Sequence, residues 1–455
     1  MKLPDTPAAR LALRTVDRLR AAGHQAYLVG GCVRDLLLGT APKDFDVTTD
    51  APPARVLELF PGAEPVGSHF GVVIVPDGGV WVEVATFRRD HTYEDGRRPS
   101  SVDFETDPRQ DVLRRDFTIN AMMLDPVSGS VIDHTGGRRD LDRRVVRTVG
   151  DPATRFAEDH LRMLRAVRFA ARLDFAIEEA TAEAIRGERA SIHRVAAERV
   201  RDELTRVLTE GGARRGFEFL DGTGLLGELL PEVAAMKGVE QPPEYHPEGD
   251  VWTHTLLMLG LMRDPSPSLA WGVLLHDVGK PPTFRLAERI RFDRHAPVGA
   301  EMAERILKRL RCSRELVHRV TELVRRHLQF IDVRKMRQST LKRFLRMEGF
   351  DELLELHRID CLASHRDLTA YNFVRAQLTT LSSAQLRPAP LLTGRDLIAA
   401  GYEPGPSFQQ ILETVETAQL ESRVHSPEDA LTLVRSRFPP PDGRPADGPA
   451  KPGDK

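Results

Sequence analysis

The chain has 455 residues, 41% of them hydrophobic and 29% charged, with a formal net charge of -2. Single cores seldom exceed roughly 250 residues, so two to four packed domains are expected, and this ordinary composition excludes global disorder. The near-neutral balance excludes a protein that coats nucleic acid nonspecifically, although Lys and Arg gathered in one groove still permit RNA binding. No run approaches the roughly 20 apolar residues of a membrane span, and the N-terminus lacks a signal-peptide pattern, so the cytoplasm is the expected compartment.

In chain order, Leu11, Leu13, Val16 and Leu19 recur with helical spacing over residues 7–22, and AYLVG at 26–30 reads as a strand ending in glycines. Alternation in VVIV at 72–75 and WVEVATF at 81–87 adds two strands. Beyond Gly150, Asp151 and Pro152, strand signals nearly vanish and amphipathic helices take over, such as 156–173 and 194–209. Further breaks fall at QPPEYHPEGD, 241–250, and LRPAPLLTGRD, 386–396. The expected organisation is therefore a mixed head, 1–150, a helical neck, 151–240, a third domain, 241–385, a helical tail, 386–438, and a disordered Pro- and Gly-rich end, 439–455. Cys32, Cys312 and Cys361 are too scattered for a disulfide framework or a CxxC knuckle and read as small buried residues.

The richest stretch is LVGGCVRDLLLG from Leu28, followed by PKDFDVTTD from Pro42. A strand entering Gly30 and Gly31 before a helix lets backbone N–H groups approach a phosphate, and Arg34, one turn on, points toward the same anion. Asp44 and Asp46 are two apart in a segment of strand character and project from one face. Such carboxylates raise each other's pKa unless a cation lies between them, a role suited to Mg²⁺. Glu83 is a candidate third carboxylate from a neighbouring strand, or else a solvated strand residue. An anion cradle beside these acids suits two-metal phosphoryl transfer.

In RRDFTINAM, Arg115 is placed to neutralise a triphosphate, while Asp116 and Asn120, four apart, share a helical face. RFAEDHLRMLRAVRF places Asp159, Arg162, Arg165 and Arg168 on overlapping faces of one helix, where they either read a base edge or form intrahelical salt bridges. After residue 240 come His254, then LLHDVGKPP with His276 and Asp277, then His295, His327 and Asp360 on later helices. Imidazoles and carboxylates from several helices suit a divalent metal.

The segments GGCVRDLLLG, DFDVTT, VEVATFR, DGRRPSSV, RRDFTINAM, IDHTGGRRDL, VVRTVGDP and RFAEDHLRMLRAVRFAARL occur in order over about 25–175. Together they closely resemble the class II CCA-adding tRNA nucleotidyltransferases and their bacterial poly(A) polymerase relatives. The resemblance implies an α+β chain: a polymerase β-like head with a mixed sheet, then an all-α neck, a metal-binding helical domain and tail helices. It places the metal pair on Asp44 and Asp46 with Glu83 in support, and triphosphate contacts on Gly31, Arg34 and Arg115. It assigns base selection to Asp159 and Arg162, with Arg165 and Arg168 on nearby nucleotide-contacting positions. The charged stretch 87–104 resembles the mobile loop of members that add the final A.

The later set is similar to the HD phosphohydrolase domain, with His254, His276, Asp277 and Asp360 on its main ligand positions and His295 and His327 on additional ones. That implies hydrolysis of a phosphomonoester or cyclic phosphodiester. The expected activity is addition or repair of the tRNA 3′ CCA with CTP, ATP and Mg²⁺, with a second divalent metal in the HD domain and no membrane partner. The competing expectations are A-only or poly(A) addition, or an HD hydrolase carrying an RNA-binding head.

Overall fold

The computed structural model describes residues 3–66, 71–90 and 102–439. The chain divides into two compact units, Met1–Arg325 and Arg326–Lys455. The first opens with α1 (Pro7–Ala21), whose first turn is set by an N-terminal proline and by the Thr6 hydroxyl accepting from the Ala9 N–H. Leu11, Val16 and Leu19 form its buried stripe.

Strands β1 (Ala26–Val29), β2 (Asp46–Thr49), β3 (Glu64–Pro65), β4 (Val72–Asp77) and β5 (Val80–Thr86) alternate with α2 (Gly31–Leu37) and α3 (Pro53–Leu59). After the ribbon β6 (Arg88–Asp90) and β7 (Val102–Phe104) and helix α4 (Pro108–Leu113) come β8 (Met122–Leu124) and β9 (Val131–Asp133). The seven-stranded sheet has the order β3-β4-β5-β2-β1-β8-β9. Strands β2 and β5 run parallel at its centre, with Asp46 opposite Glu83, whereas the other pairs are antiparallel. The period-two pattern of β5 buries Val82 and Val84 and turns Trp81 and Glu83 outward.

Helix α5 (Gly137–Asp142) and a short parallel pair, β10 (Val145–Val146) with β11 (Ala176–Ile177), lead out of the sheet. The neck comprises α6 (Pro152–Glu158), α7 (Arg162–Leu173), α8 (Glu179–Glu188), α9 (Ala197–Thr209), α10 (Ala213–Gly222), α11 (Leu225–Leu229) and α12 (Pro231–Ala234). Then come α13 (Val251–Leu261), α14 (Pro267–Leu275), α15 (Lys280–Thr283), the hairpin β12 (Phe284–Leu286) and β13 (Ile290–Phe292), α16 (His295–Arg309) and α17 (Arg314–Arg326).

The second unit begins with a 3₁₀ segment, His327–Lys335, followed by α18 (Gln338–Leu345), α19 (Phe350–Ala363), α20 (Thr369–Thr380), α21 (Ser383–Leu386), α22 (Gly394–Ala399), α23 (Ser407–Leu420) and α24 (Pro427–Arg437). One of its cores gathers Leu392, Leu397, Tyr402, Ile411, Val415 and Val434. Cys32 and Cys361 are buried as expected, while Cys312 is only partly so. Of the charged stretch 87–104, residues 91–101 lie outside the described residues, as do 440–455 of the expected disordered end.

Two sequence expectations are corrected. The helix expected over 156–173 is two helices, because Asp159 is extended (φ -147, ψ 103) and its carboxylate accepts from the Leu161 N–H at 3.1 Å, a local bond that competes with helical continuation. Asp116 and Asn120 do not share an α-helix: Phe117 is extended, bridging to Thr148, and only the 3₁₀ turn Thr118–Asn120 follows. The Asn120 side chain still reaches the Asp116 carboxylate, at 3.4 Å.

Candidate active site

Three carboxylates meet on the central strands. Asp46 starts β2 and is half-buried, Glu83 stands opposite it in register on β5, and exposed Asp44 precedes β2, close enough for its charge to act on Asp46. Asp44 thus lies in a bend just outside the strand rather than within it. Burial, then Glu83 and Asp44, push the Asp46 carboxyl from its ordinary 3.8 up to about 7, against the pull of Arg115.

Gly30, between β1 and α2, has φ +81, a conformation that disfavours any side chain. A Cβ there would lie 3.5 Å from Arg115 Nη1 and 3.7 Å from Asp46 Oδ2, so the glycine turn, the guanidinium and the acid adjoin. Arg34 is buried and occupied from below: Nη1 donates to Asn120 Oδ1 at 2.7 Å and Nε to Asp35 Oδ1 at 2.8 Å. Its Nη2 lies 3.6 Å from where a Gly31 Cβ would stand.

Sequence reasoning missed the residue that aims Arg115. Asp111, fully buried on α4, accepts from Arg115 Nη2 at 2.9 Å and from Arg114 Nε at 3.0 Å. Burial works to raise its carboxyl, yet the two guanidiniums hold it below the usual carboxylate range. Its place in the first turn of α4 reads from sequence as ordinary helix-dipole chemistry, so no signal separated it.

The expected base-reading residues sit at the α6–α7 break. Asp159 pairs with Arg199 Nη2 at 2.8 Å, while Arg162 pairs with Glu158 and donates to the carbonyl of Arg155 at 3.0 Å. Arg165 donates to Asp116 Oδ2 from Nε at 2.9 Å and from Nη2 at 2.7 Å. Arg168 is buried and held by Glu203 at 2.6 Å and Glu210 at 3.3 Å. The neck residues Arg172, Arg214 and Arg215 also line a cleft of about 630 Å³, joined by Arg263 just after α13 and by Lys43, the neighbour of Asp44.

A second cluster lies in the same unit, at the end of α14 and the start of α16. His276 and Asp277 are buried, with His276 Nε2 3.1 Å and His295 Nε2 3.5 Å from the Asp277 carboxylate. Lys280 Nζ is 2.7 Å from the same group. Burial would raise Asp277, but His276 and Lys280 hold it well below its ordinary value. A Cβ on Gly279 would lie 2.2 Å from the His295 carbonyl oxygen, so only glycine lets the start of α16 approach this turn. On α13, His254 is fully buried, its ring 5.4 Å from that of His276. Buried imidazoles beside a carboxylate are a donor set that fits a divalent metal. His327 and Asp360 belong to the second unit, His327 buried at the head of its 3₁₀ segment and Asp360 partly buried on α19.

Three family models match consecutive parts of the chain: the poly A polymerase head domain over 26–147, a probable RNA and SrmB-binding site of polymerase A over 174–237, and the HD domain over 251–353. The CCA-adding enzyme of Lactobacillus gasseri is 37% identical over 277 residues, which cover 59% of this chain and 68% of that protein. The chain belongs to the CCA-adding enzyme family. Another member of the family, from Bacillus pumilus, is 42% identical over 254 residues, 55% of this chain. The match spans 63% of that relative's length. The solved CCA-adding enzyme of Bacillus stearothermophilus in complex with CTP superposes with a TM-score of 0.73 at 27% identity, over 95% of this chain and 98% of that one. The family's architecture, a polymerase head followed by a helical HD region, is the α+β arrangement described above. Among the described residues no helix is long and apolar enough to cross a membrane.

Proposed function

We propose that the chain adds or repairs the 3′-terminal CCA of tRNA from CTP and ATP, in the cytoplasm. The observation that carries this reading is the in-register meeting of Asp46 with Glu83, with Asp44 two residues away and Gly30 and Arg115 alongside. These acids fit Mg²⁺, with Asp44 and Asp46 holding it and Glu83 in support. Held there, Mg²⁺ would supply positive charge for the attacking RNA 3′-hydroxyl and the leaving pyrophosphate. Arg115, braced by Asp111, neutralises the triphosphate beside the Gly30–Gly31 turn, and Arg34 props that turn through Asn120. Asp159 and Arg162 read the base; an incoming nucleotide exchanges their present contacts with Arg199 and Glu158 for its own. Arg165, Arg168 and Asp116 hold the reading helix in place, and Lys43 with the neck arginines guides RNA phosphates.

The reading has a pH signature. A carboxyl whose folded pKa is raised holds its proton more tightly in the folded state, so Asp46 costs stability progressively as pH rises from about 4 to about 7. Mg²⁺ removes that cost. The rise in melting temperature on adding Mg²⁺ is therefore expected to be larger at pH 8 than at pH 5, and an equal rise at both would disprove the crowded-acid account.

The deciding experiment presents tRNAs lacking CCA, CA or only A with CTP and ATP separately. CCA addition requires C on the first two and A on the third. Extension by A alone, or untemplated A tracts, would reassign the chain to the A-adding or poly(A) branch.

For the HD centre we propose a divalent metal on His254, His276 and Asp277, with His295 as a further ligand, and hydrolysis of a phosphate ester at an RNA end. His276→Ala is expected to abolish phosphate release while leaving nucleotide incorporation intact.

A further inference from the structure

The histidines of the HD centre share a pattern that the ligand assignment does not explain. In His276 the ring nitrogen Nδ1 lies 2.8 Å from the carbonyl oxygen of Val273, and in His295 it lies 2.9 Å from that of Phe292. A carbonyl can only accept, so Nδ1 carries a proton in both rings, which leaves Nε2 as the nitrogen a metal would use. In both, Nε2 is the nitrogen nearest Asp277. His254 is held by a side chain. Its Nδ1 instead lies 2.6 Å from Glu248 Oε1, in the segment PEYHPEGD just before α13.

We propose that Glu248 is the positioning residue for His254: its carboxylate fixes the His254 tautomer and ring orientation so that Nε2 is presented to the metal. This rests on the divalent-metal reading of the HD centre given above. A carboxylate behind a ligating imidazole does what a carbonyl does and also raises the basicity of the ring, which strengthens the metal bond.

The surroundings keep Glu248 in that role. Its side chain is buried, and the same Oε1 also takes a bond from His246 Nδ1 at 2.9 Å, so two imidazoles converge on one oxygen. The two rings stand edge to face, 4.9 Å between centroids. The other oxygen, Oε2, is buried without a hydrogen-bond partner among the described residues. The segment itself is anchored: Asp250 caps α13 by accepting from the Thr253 N–H at 2.8 Å and takes the Gly238 N–H at 2.6 Å, while the Val251 N–H donates to the Val239 carbonyl at 3.1 Å. Backbone fixed on both sides delivers the carboxylate at a set depth, a condition for precise ligand orientation.

The test is a Co²⁺ titration of the full chain, read by visible absorption and by bound metal per chain, with His276→Ala defining the component that belongs to the HD centre. Glu248→Ala is expected to weaken that component by about 10–100-fold. Glu248→Gln keeps an acceptor oxygen but is a poor ligand, and is expected to recover most of the loss with the wild-type absorption band. Incorporation of nucleotides by the head reports that each variant is folded. Wild-type affinity in Glu248→Ala, or Glu248→Gln as weak as the alanine variant, overturns the positioning role while leaving the metal centre standing. If His276→Ala removes no Co²⁺ component, the metal reading falls and the inference with it.

Discussion

Asp46→Asn is expected to reduce nucleotide incorporation by about a thousandfold or more, with the protein still folded. The amide is nearly isosteric but carries no charge, so the site loses the half-buried member of its acid trio and with it much of the attraction for Mg²⁺. Charge stabilisation by a bound cation contributes several kcal/mol, and each 1.36 kcal/mol changes a rate tenfold, so a loss near 4 kcal/mol gives that factor. Folding is expected to improve without divalent metal, because the substitution relieves the repulsion that drives the Asp46 carboxyl up to about 7. Single-turnover incorporation at saturating Mg²⁺, together with thermal unfolding in EDTA, measures both. An activity within tenfold of wild type would remove Asp46 from the reaction.

Asp111→Ala is expected to damage stability and nucleotide binding together. Its carboxylate is fully buried and takes bonds from Arg114 and Arg115, whose side chains are 18% and 19% exposed. Removing one partner of a buried ion pair costs about 3–5 kcal/mol, because the remaining charge is left unpaired. Here two guanidiniums are left facing each other, although both reach some solvent, so about 3 kcal/mol is expected. In a unit spanning Met1–Arg325, with an unfolding entropy of about 2.1 cal/mol/K per residue, that lowers the melting temperature by roughly 4–5 °C. The freed Arg115 no longer points at the Gly30 turn, so the KM for CTP and ATP is expected to rise. An unchanged melting temperature with an unchanged KM would show that Arg115 needs no brace.

Much of the head was legible because its signals are periodic. Val82 and Val84 alternate with Trp81 and Glu83, and the structure places β5 where that alternation lies. The break at 241–250 likewise falls between α12 and α13, since proline and glycine end elements for local reasons. The same reasoning failed at Asp159. A helical pattern runs through it, but a side-chain bond to the Leu161 N–H and an ion pair with Arg199, forty positions away, hold it extended. No local pattern encodes that partner.

The sequence by itself determined the residue types at the two sites, the order of the family's segments and the strand and helix periods, because those depend on neighbours a few positions apart. Tertiary structure decided which charges are spent on holding the protein together. Arg34, Arg115, Arg162, Arg165 and Arg168 look alike in sequence, yet each meets a different partner: Asn120, Asp111, Glu158, Asp116 and Glu203 in turn. Asp111 and Glu248 gained their importance in the same way. A charge acquires its role from the opposite charge it meets once water is excluded, and long-range packing alone chooses that partner.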